Sequence, residues 1–314
     1  MVSFKQKAIF LMGPTASGKT GAAVELYSKL PIEIISVDSA LVYRDMNIGT
    51  AKPNADILAK APHHLIDMID PTSAYSAANF RVDALRLMAD ITARGKIPLL
   101  VGGTMLYFKG LQSGLSGLPE ANQEIRARLD GRAALIGWPA MHEKLALVDA
   151  PTAARIKPND SQRIQRALEV FEITGESMTS LFTKQSNEEL PYNLLKIALV
   201  PSDRKVLHDR IALRFEQMLK AGFLEEVRML KLKYPSLTAE STAMRCVGYR
   251  HAWEHLAGNY HQVELLERGI FATRQLAKRQ LTWLRSMNDI IELDCLNCNL
   301  NKFVFNNINQ YINE

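Results

Sequence analysis

Eight consecutive residues, Gly13, Pro14, Thr15, Ala16, Ser17, Gly18, Lys19 and Thr20, match G-x-x-x-x-G-K-[ST] in full. They follow an apolar run at 8–12 and precede a helical pattern through Ala22, Ala23, Leu26 and Leu30. In that setting the loop's backbone N–H groups and the helix start point at an anion. Lys19 supplies a point charge to the terminal phosphates, and the Thr20 hydroxyl can ligate Mg²⁺. The motif announces a diphosphate or a triphosphate; it specifies neither ATP nor phosphoryl transfer. A second group of chemistry-bearing residues lies far along the chain. Arg268, Arg274, Lys278, Arg279 and Arg285 have no acid between 268 and 285. At about 100° per residue they fall within an arc of roughly 140° on a helix. Leu276, Leu281, Trp283 and Leu284 lie largely on the other side. One face can be core and the other can meet phosphates; an amphipathic surface helix without a ligand is the plainer reading.

The elements that position these residues follow from local pattern. Residues 8–12, 33–37 and 97–101 are short apolar runs, read as strands. The helix before the third run starts near Ser76 or Ala77 and ends at Gly95. Alternating strands and helices imply a parallel sheet covered on both faces. Ligands bind beyond the carboxyl ends of such strands. Gly13, Asp38 and Thr104 each stand at such an end, so the three can line one cleft. After Leu111 the pattern turns helical. One helix runs from Asn122 to about Leu129, and a clearer one from Asn159-Asp160-Ser161 to Gly175. Residues 194–200 return as a strand ended by Pro201. The expected fold is α/β, a P-loop NTPase-like parallel sheet flanked by helices. Residues 1–111 and 194–314 form the core with C-terminal helices, and 112–193 form a mostly helical insertion. Beyond Ser202 the chain is mostly helical with a late apolar stretch at 290–293, and the Asn-rich tail at 297–314 is expected to be loosely held.

Composition narrows the class. The chain has 314 residues, 47% hydrophobic and 23% charged, enough for one large domain with a smaller one attached. No apolar run reaches the roughly 18 residues a membrane span needs. A cleaved leader would remove the first strand, so a cytoplasmic protein without a targeting segment is expected. Cys246, Cys295 and Cys298 make no disulfide framework. Cys295 and Cys298 form a lone C-x-x-C with no second pair, which argues against a zinc site; His63 and His64 are read as structural. The net charge of +5 lies entirely within residues 201–289. A localised positive field suits a phosphate-rich partner, although a solvated helical surface would carry the same charge.

Seven stretches together resemble the tRNA dimethylallyltransferase family of the bacterial MiaA type. They are GPTASGKT at 13–20, ISVDSALVYRDMNIGTAKP at 35–53, YSAANFRVDA at 75–84 and IPLLVGGTMLYFKGL at 97–111. NDSQRIQRALEVFEITG at 159–175, RCVGYRHAWEHLAG at 245–258 and ATRQLAKRQLTWLR at 272–285 complete the set. They stand in family order and span nearly the whole chain. The resemblance implies transfer of a dimethylallyl group from dimethylallyl diphosphate to N6 of the adenosine at tRNA position 37, with Mg²⁺ as cofactor. It makes Asp38 the general base toward the adenine amino group, a poor nucleophile whose developing charge needs relief. On a nucleotide kinase the same aspartate would be a helix cap or a Mg²⁺ ligand. Ser39, Ala40, Leu41 and Tyr43 are expected near the base; some members carry Gln where Leu41 stands. Thr104 would contact the diphosphate or the bridging oxygen, where a helix cap is the plainer role. Arg214, in a helix over 204–221, matches a family arginine and is the candidate second cation on the leaving group, alongside Lys19. A surface arginine is its plainer reading.

The target base must leave its stack to reach Asp38. Arg245, Cys246, Val247, Gly248, Tyr249 and Arg250 place two cations and an aromatic around a glycine, which suits contact with both backbone and base. By resemblance Gln162, Arg163, Ile164, Gln165 and Arg166 of the insertion grip the anticodon stem-loop. The insertion then supplies its second wall, with Arg274, Lys278, Arg279 and Arg285 on the last long helix. Eukaryotic relatives often add a C-terminal zinc-finger extension; its absence here is expected of a bacterial form. The chain is expected to work as a monomer without a membrane. A kinase of a small molecule or nucleoside shares the loop and the strand-end carboxylate but leaves the basic segment unexplained. A non-catalytic RNA-binding switch leaves Asp38 without a task.

Overall fold

A computed structural model describes residues 5–114, 118–184 and 190–314. The chain divides into two compact units, Met1–Gln112 with Leu190–Glu314, and Ser113–Glu189. In chain order the elements are β1 (Gln6–Met12), α1 (Lys19–Tyr27), β2 (Ile32–Val37), α2 (Ala55–Lys60), β3 (His63–His64), α3 (Ala77–Ala93), β4 (Ile97–Gly102) and α4 (Met105–Ser113). Then come α5 (Gln123–Val148), α6 (Ala150–Arg155), α7 (Ser161–Thr174) and α8 (Met178–Lys184). The first unit resumes with β5 (Tyr192–Val200), α9 (Arg204–Lys220), α10 (Phe223–Lys233), α11 (Tyr249–Leu256), α12 (Gln262–Arg285), β6 (Ile291–Asp294) and α13 (Leu300–Asn313).

The six strands form one sheet in the order β3-β2-β4-β1-β5-β6, and every pairing is parallel. β1 is central: Leu11 stands opposite Val101 on one side and Ile197 on the other. Its residues alternate between two cores, as a strand's period of two requires. Ala8, Phe10 and Met12 join a cluster with Phe80 and Met88 of α3, Phe108 of α4, and Ala277, Leu281 and Leu284 of α12. Ile9 and Leu11 pack on the other face with Ala22, Ala23 and Leu26 of α1. Burial on both faces explains why the run at 8–12 is apolar throughout rather than alternating. A third core joins α9, α10, α11 and the loop after β2 through Phe215, Phe223, Tyr249, Tyr43 and Met46. At the sheet edge, His64 Nε2 lies 3.0 Å from Glu33 Oε2.

Several expectations meet their positions closely. α3 opens with a capping box in which Ser76 and Asn79 satisfy each other's backbone N–H, and Gly95 follows it at φ 71°. α7 is capped by Asp160 and ends at Gly175 in the left-handed conformation. β5 begins at Tyr192 rather than 194, because Tyr192 and Asn193 already pair with Gln6 and Lys7. Of the stretch expected as an insertion, residues 115–117 and 185–189 lie outside the described residues.

Three elements differ from expectation. The helix expected from 122 to about 129 continues as α5 to Val148, interrupted at Gly137 (φ 82°, ψ 155°) with Pro139 just beyond; the break hides the continuation from a periodicity reading. The late apolar stretch is strand β6, paired with β5 from Ile197↔Ile291 to Val200↔Asp294. The tail is not loosely held. It forms α13, whose Leu300, Val304 and Ile308 recur at i, i+4 and i+8 and are buried against α1 and the sheet. Each such side chain contributes up to about 1.5–3 kcal/mol, which outweighs the poor helix propensity of the intervening asparagines. Lys7 Nζ donates to Ile312 O at 2.9 Å and Tyr311 Oη to Asn193 O at 2.7 Å, tying the C-terminal end of α13 down.

Candidate active site

The phosphate loop leaves β1 and turns into α1 through two left-handed residues, Ala16 (φ 65°) and Gly18 (φ 85°). This alternation turns successive amides inward as an anion-binding concavity. Gly13 admits no side chain, since a Cβ there would stand 2.8 Å from Leu199 O. Lys19 Nζ donates to Pro14 O at 2.6 Å. Burial pushes the Lys19 ammonium down to about 8; Asp38 opposes the shift and Arg214 adds to it. Thr20 lines the cleft beside it.

Asp38 follows β2 at the floor of the cleft. Burial raises its carboxyl above the usual range, while the Ala40 N–H, at 2.8 Å from Oδ1, Lys19 and Arg214 pull the other way. The raised value makes it a better proton acceptor than a surface aspartate. Thr104 follows β4; its Oγ1 accepts from Ser39 N at 3.0 Å, so its hydroxyl fixes the turn that carries Asp38. Gly102 is obligatory, because a Cβ would meet Val37 O at 2.0 Å. Arg214, on α9, also faces the cleft; burial lowers its pKa and Asp38 opposes that. Lys19, Asp38 and Arg214 therefore share one field, although 195 positions separate the first from the last.

The cavity measures about 300 Å³ and has a distinct apolar wall of Ile211, Phe215, Met218, Leu276, Cys246 and Val247. The Cys246 thiol is pushed up to about 12 by burial and by Asp38, so it stays protonated and serves as wall. Phe215 lies against Gly269 of α12, where a Cβ would come within 2.0 Å of the ring. Residues Gly49, Thr50, Ala51 and Pro53 also line the cleft. Glu226 of α10 anchors that loop, accepting from the N–H groups of Asn47 (2.9 Å), Ile48 (2.6 Å) and Gly49 (3.2 Å) and from Tyr249 Oη (2.6 Å). Sequence reasoning found neither the apolar wall nor Glu226. It also missed Gln280, a buried glutamine on α12 that reaches both Thr15 and Gly103. The available signal was a polar residue on the same helix face as Ala277, Leu281 and Leu284.

Among the residues expected near the base, Ala40 and Leu41 line the cleft and Ser39 is exposed. Tyr43 is corrected: it is 2% exposed and belongs to the core. In the 245–250 segment, Cys246 and Val247 reach the cleft, while Arg245 and Arg250 are exposed and Arg250 pairs with Glu254 at 3.0 Å. Gly248 (φ 94°) starts α11. Tyr249 is also corrected: fully buried, with its ring edge-on to Phe223 and its hydroxyl on Glu226, it has no surface to offer a base.

On α12, Lys278, Arg279 and Arg285 are exposed, whereas Arg268 pairs with Glu264 and lies over the Tyr260 ring. Arg274 is half-buried, and its Nε is buried without a hydrogen-bond partner. Within the second unit, Gln162 and Arg163 are exposed on α7, Arg163 bonding Asp160 at 3.0 Å. Ile164 is corrected to a core residue, packed with Leu129, Leu145 and Leu168. Gln165 bonds Asp130 at 2.6 Å. Arg166 is committed to Glu169 and Pro119 O, each at 2.6 Å. Burial pushes the Glu169 carboxyl up, but Arg126 and Arg166 outweigh it and hold it below the usual range.

A family model described as IPP transferase matches residues 41–287. The tRNA dimethylallyltransferase of Methylobacillus flagellatus is 67% identical over 296 residues, covering 94% of each chain. The full-length tRNA isopentenylpyrophosphate transferase of Bacillus halodurans superposes with a TM-score of 0.69 at 34% identity, covering 98% of both chains. A eukaryotic dimethylallyltransferase acting on tRNA reaches a TM-score of 0.83 at 27% identity, over 98% of this chain and 80% of that one. With a phosphate loop, a strand-end aspartate and an apolar wall in one cleft, and a family match over most of its length, the chain belongs to the IPP transferase family.

Proposed function

We propose that the chain transfers the dimethylallyl group of dimethylallyl diphosphate to N6 of the adenosine beside the tRNA anticodon, position 37. The observation that carries this reading is the cleft itself, where Lys19, Asp38 and Arg214 face an apolar wall. The bond from the allylic carbon to the diphosphate oxygen breaks, and the new bond forms to N6. Asp38 takes the amino proton as that nitrogen's lone pair is engaged. Inorganic diphosphate leaves, stabilised by the loop amides, Lys19 and Arg214. Thr104 acts in this reading through the Ser39 turn. The five-carbon chain lies on the wall of Ile211, Phe215, Met218 and Leu276, which also keeps water from the developing allylic cation. The exposed Thr20 hydroxyl would hold a Mg²⁺ ion, which takes few protein ligands; when bound the ion would supply charge that offsets the leaving group's.

The RNA meets the exposed cations of α12, Lys278, Arg279 and Arg285, together with Arg245 and Arg250. Gln162 and Arg163 of the helical insertion are further contacts. No helix among the described residues is long and apolar enough to cross a membrane, and we place the protein in the cytoplasm as a monomer. A small-molecule kinase would leave the apolar wall without a task. The deciding experiment incubates the protein with dimethylallyl diphosphate, Mg²⁺ and unmodified tRNA, followed by nucleoside mass spectrometry. Dimethylallyl adenosine is the expected product. No such product, with ATP consumed in the presence of a small acceptor, would overturn the reading.

A further inference from the structure

α12 has two faces of different chemistry. Outward it shows Lys278, Arg279 and Arg285. Inward it carries Gln280, 8% exposed among apolar neighbours. A buried amide must satisfy both its donor and its acceptor, and Gln280 does so on two different strand ends. Its Oε1 accepts from Thr15 N at 2.9 Å, within the phosphate loop. Its Nε2 donates to Gly103 O at 2.8 Å, beyond β4. The fit is tight: a Cβ on Gly103 would stand 2.3 Å from Nε2.

The grip falls at a strained point. Ala16, the residue after Thr15, is held at φ 65°, a conformation that a β-carbon disfavours. The anion-binding turn of the loop depends on that conformation. Strain of this kind persists only where surrounding structure over-determines it, and the Gln280 amide supplies that restraint from outside the loop.

We propose that Gln280 is a positioning residue for the donor diphosphate, holding the phosphate loop in its anion-binding form and making donor binding respond to RNA seated on α12. This rests on the function proposed above. RNA on the outer face of α12 reduces that helix's freedom, so the inward amide holds Thr15 more firmly and less ordering is left for the diphosphate to supply.

The test titrates the full chain with inorganic diphosphate and Mg²⁺ by calorimetry, with and without an unmodified anticodon stem-loop. In the wild type the stem-loop tightens diphosphate binding, and diphosphate tightens the stem-loop by the same factor. Gln280→Met, similar in size but without either hydrogen bond, weakens diphosphate binding about tenfold and abolishes the tightening. Stem-loop affinity in the absence of diphosphate stays within about twofold. Gly103→Ala displaces the amide from the β4 side, with the α12 sequence unchanged, and reproduces the effect; it carries the test should Gln280→Met not fold. Diphosphate affinity unchanged in the folded variants, a parallel loss of stem-loop affinity, or no tightening in the wild type each overturns the proposal. Failure of the wild type to prenylate tRNA would instead sink the functional reading, and the diphosphate titration would still judge Gln280.

Discussion

Burial governs the titration of Lys19, Asp38 and Arg214, with Asp38 steadying both cations and the two cations drawing its own carboxyl down. Lys19 carries its charge only below about 8. Affinity for inorganic diphosphate is therefore full below that value and falls as pH rises through it. Lys19→Ala weakens binding and removes the alkaline limb, which calorimetry across pH 7–9 reads directly. Asp38 moves the opposite way, raised by burial. Asp38→Asn lowers the single-turnover rate by about 10²–10⁴ while RNA affinity, measured by fluorescence anisotropy, stays unchanged. A full rate in that variant would take the proton-acceptor role away from Asp38. These charged residues were legible in sequence because each stands in a motif with a fixed place at a strand end or helix. The apolar wall was not, because Ile211, Phe215 and Leu276 are indistinguishable from core residues until α9 and α12 are seen to face a cleft.

At the scale of elements, α12 divides its labour by face. Lys278→Ala and Arg279→Ala each weaken tRNA binding and reduce the slope of log affinity against log salt by about 0.7–0.9. An unchanged slope would move the RNA contact elsewhere. The sequence pattern placed Lys278, Arg279 and Arg285 on an exposed face but overcounted it, since Arg268 pairs with Glu264 and Arg274 is half-buried. It failed at Tyr249 because a motif's boundaries do not say which side chain turns inward. The loop at 47–49 gives its three backbone N–H groups to Glu226. Glu226→Gln replaces one acceptor oxygen with a donor and costs about 1–3 kcal/mol of stability, visible as a lower urea midpoint.

Across the whole molecule, the parallel order β3-β2-β4-β1-β5-β6 sets the carboxyl ends of β1, β2 and β4 side by side, so that segments far apart in sequence line one cleft. The α/β class was readable from alternating apolar runs and helices. The seat of the tail was not, because its asparagines mask the stripe of Leu300, Val304 and Ile308. Val304→Asp places an unpaired charge in that core and lowers unfolding free energy by at least about 3 kcal/mol, a loss thermal denaturation detects. The central place of β1 also bears on how the chain is made. Its partner β5 leaves the ribosome about 190 residues later, roughly 10–40 s at ordinary elongation rates. Throughout that interval at least one flank of this apolar strand is unpaired, an open edge that a chaperone can cover.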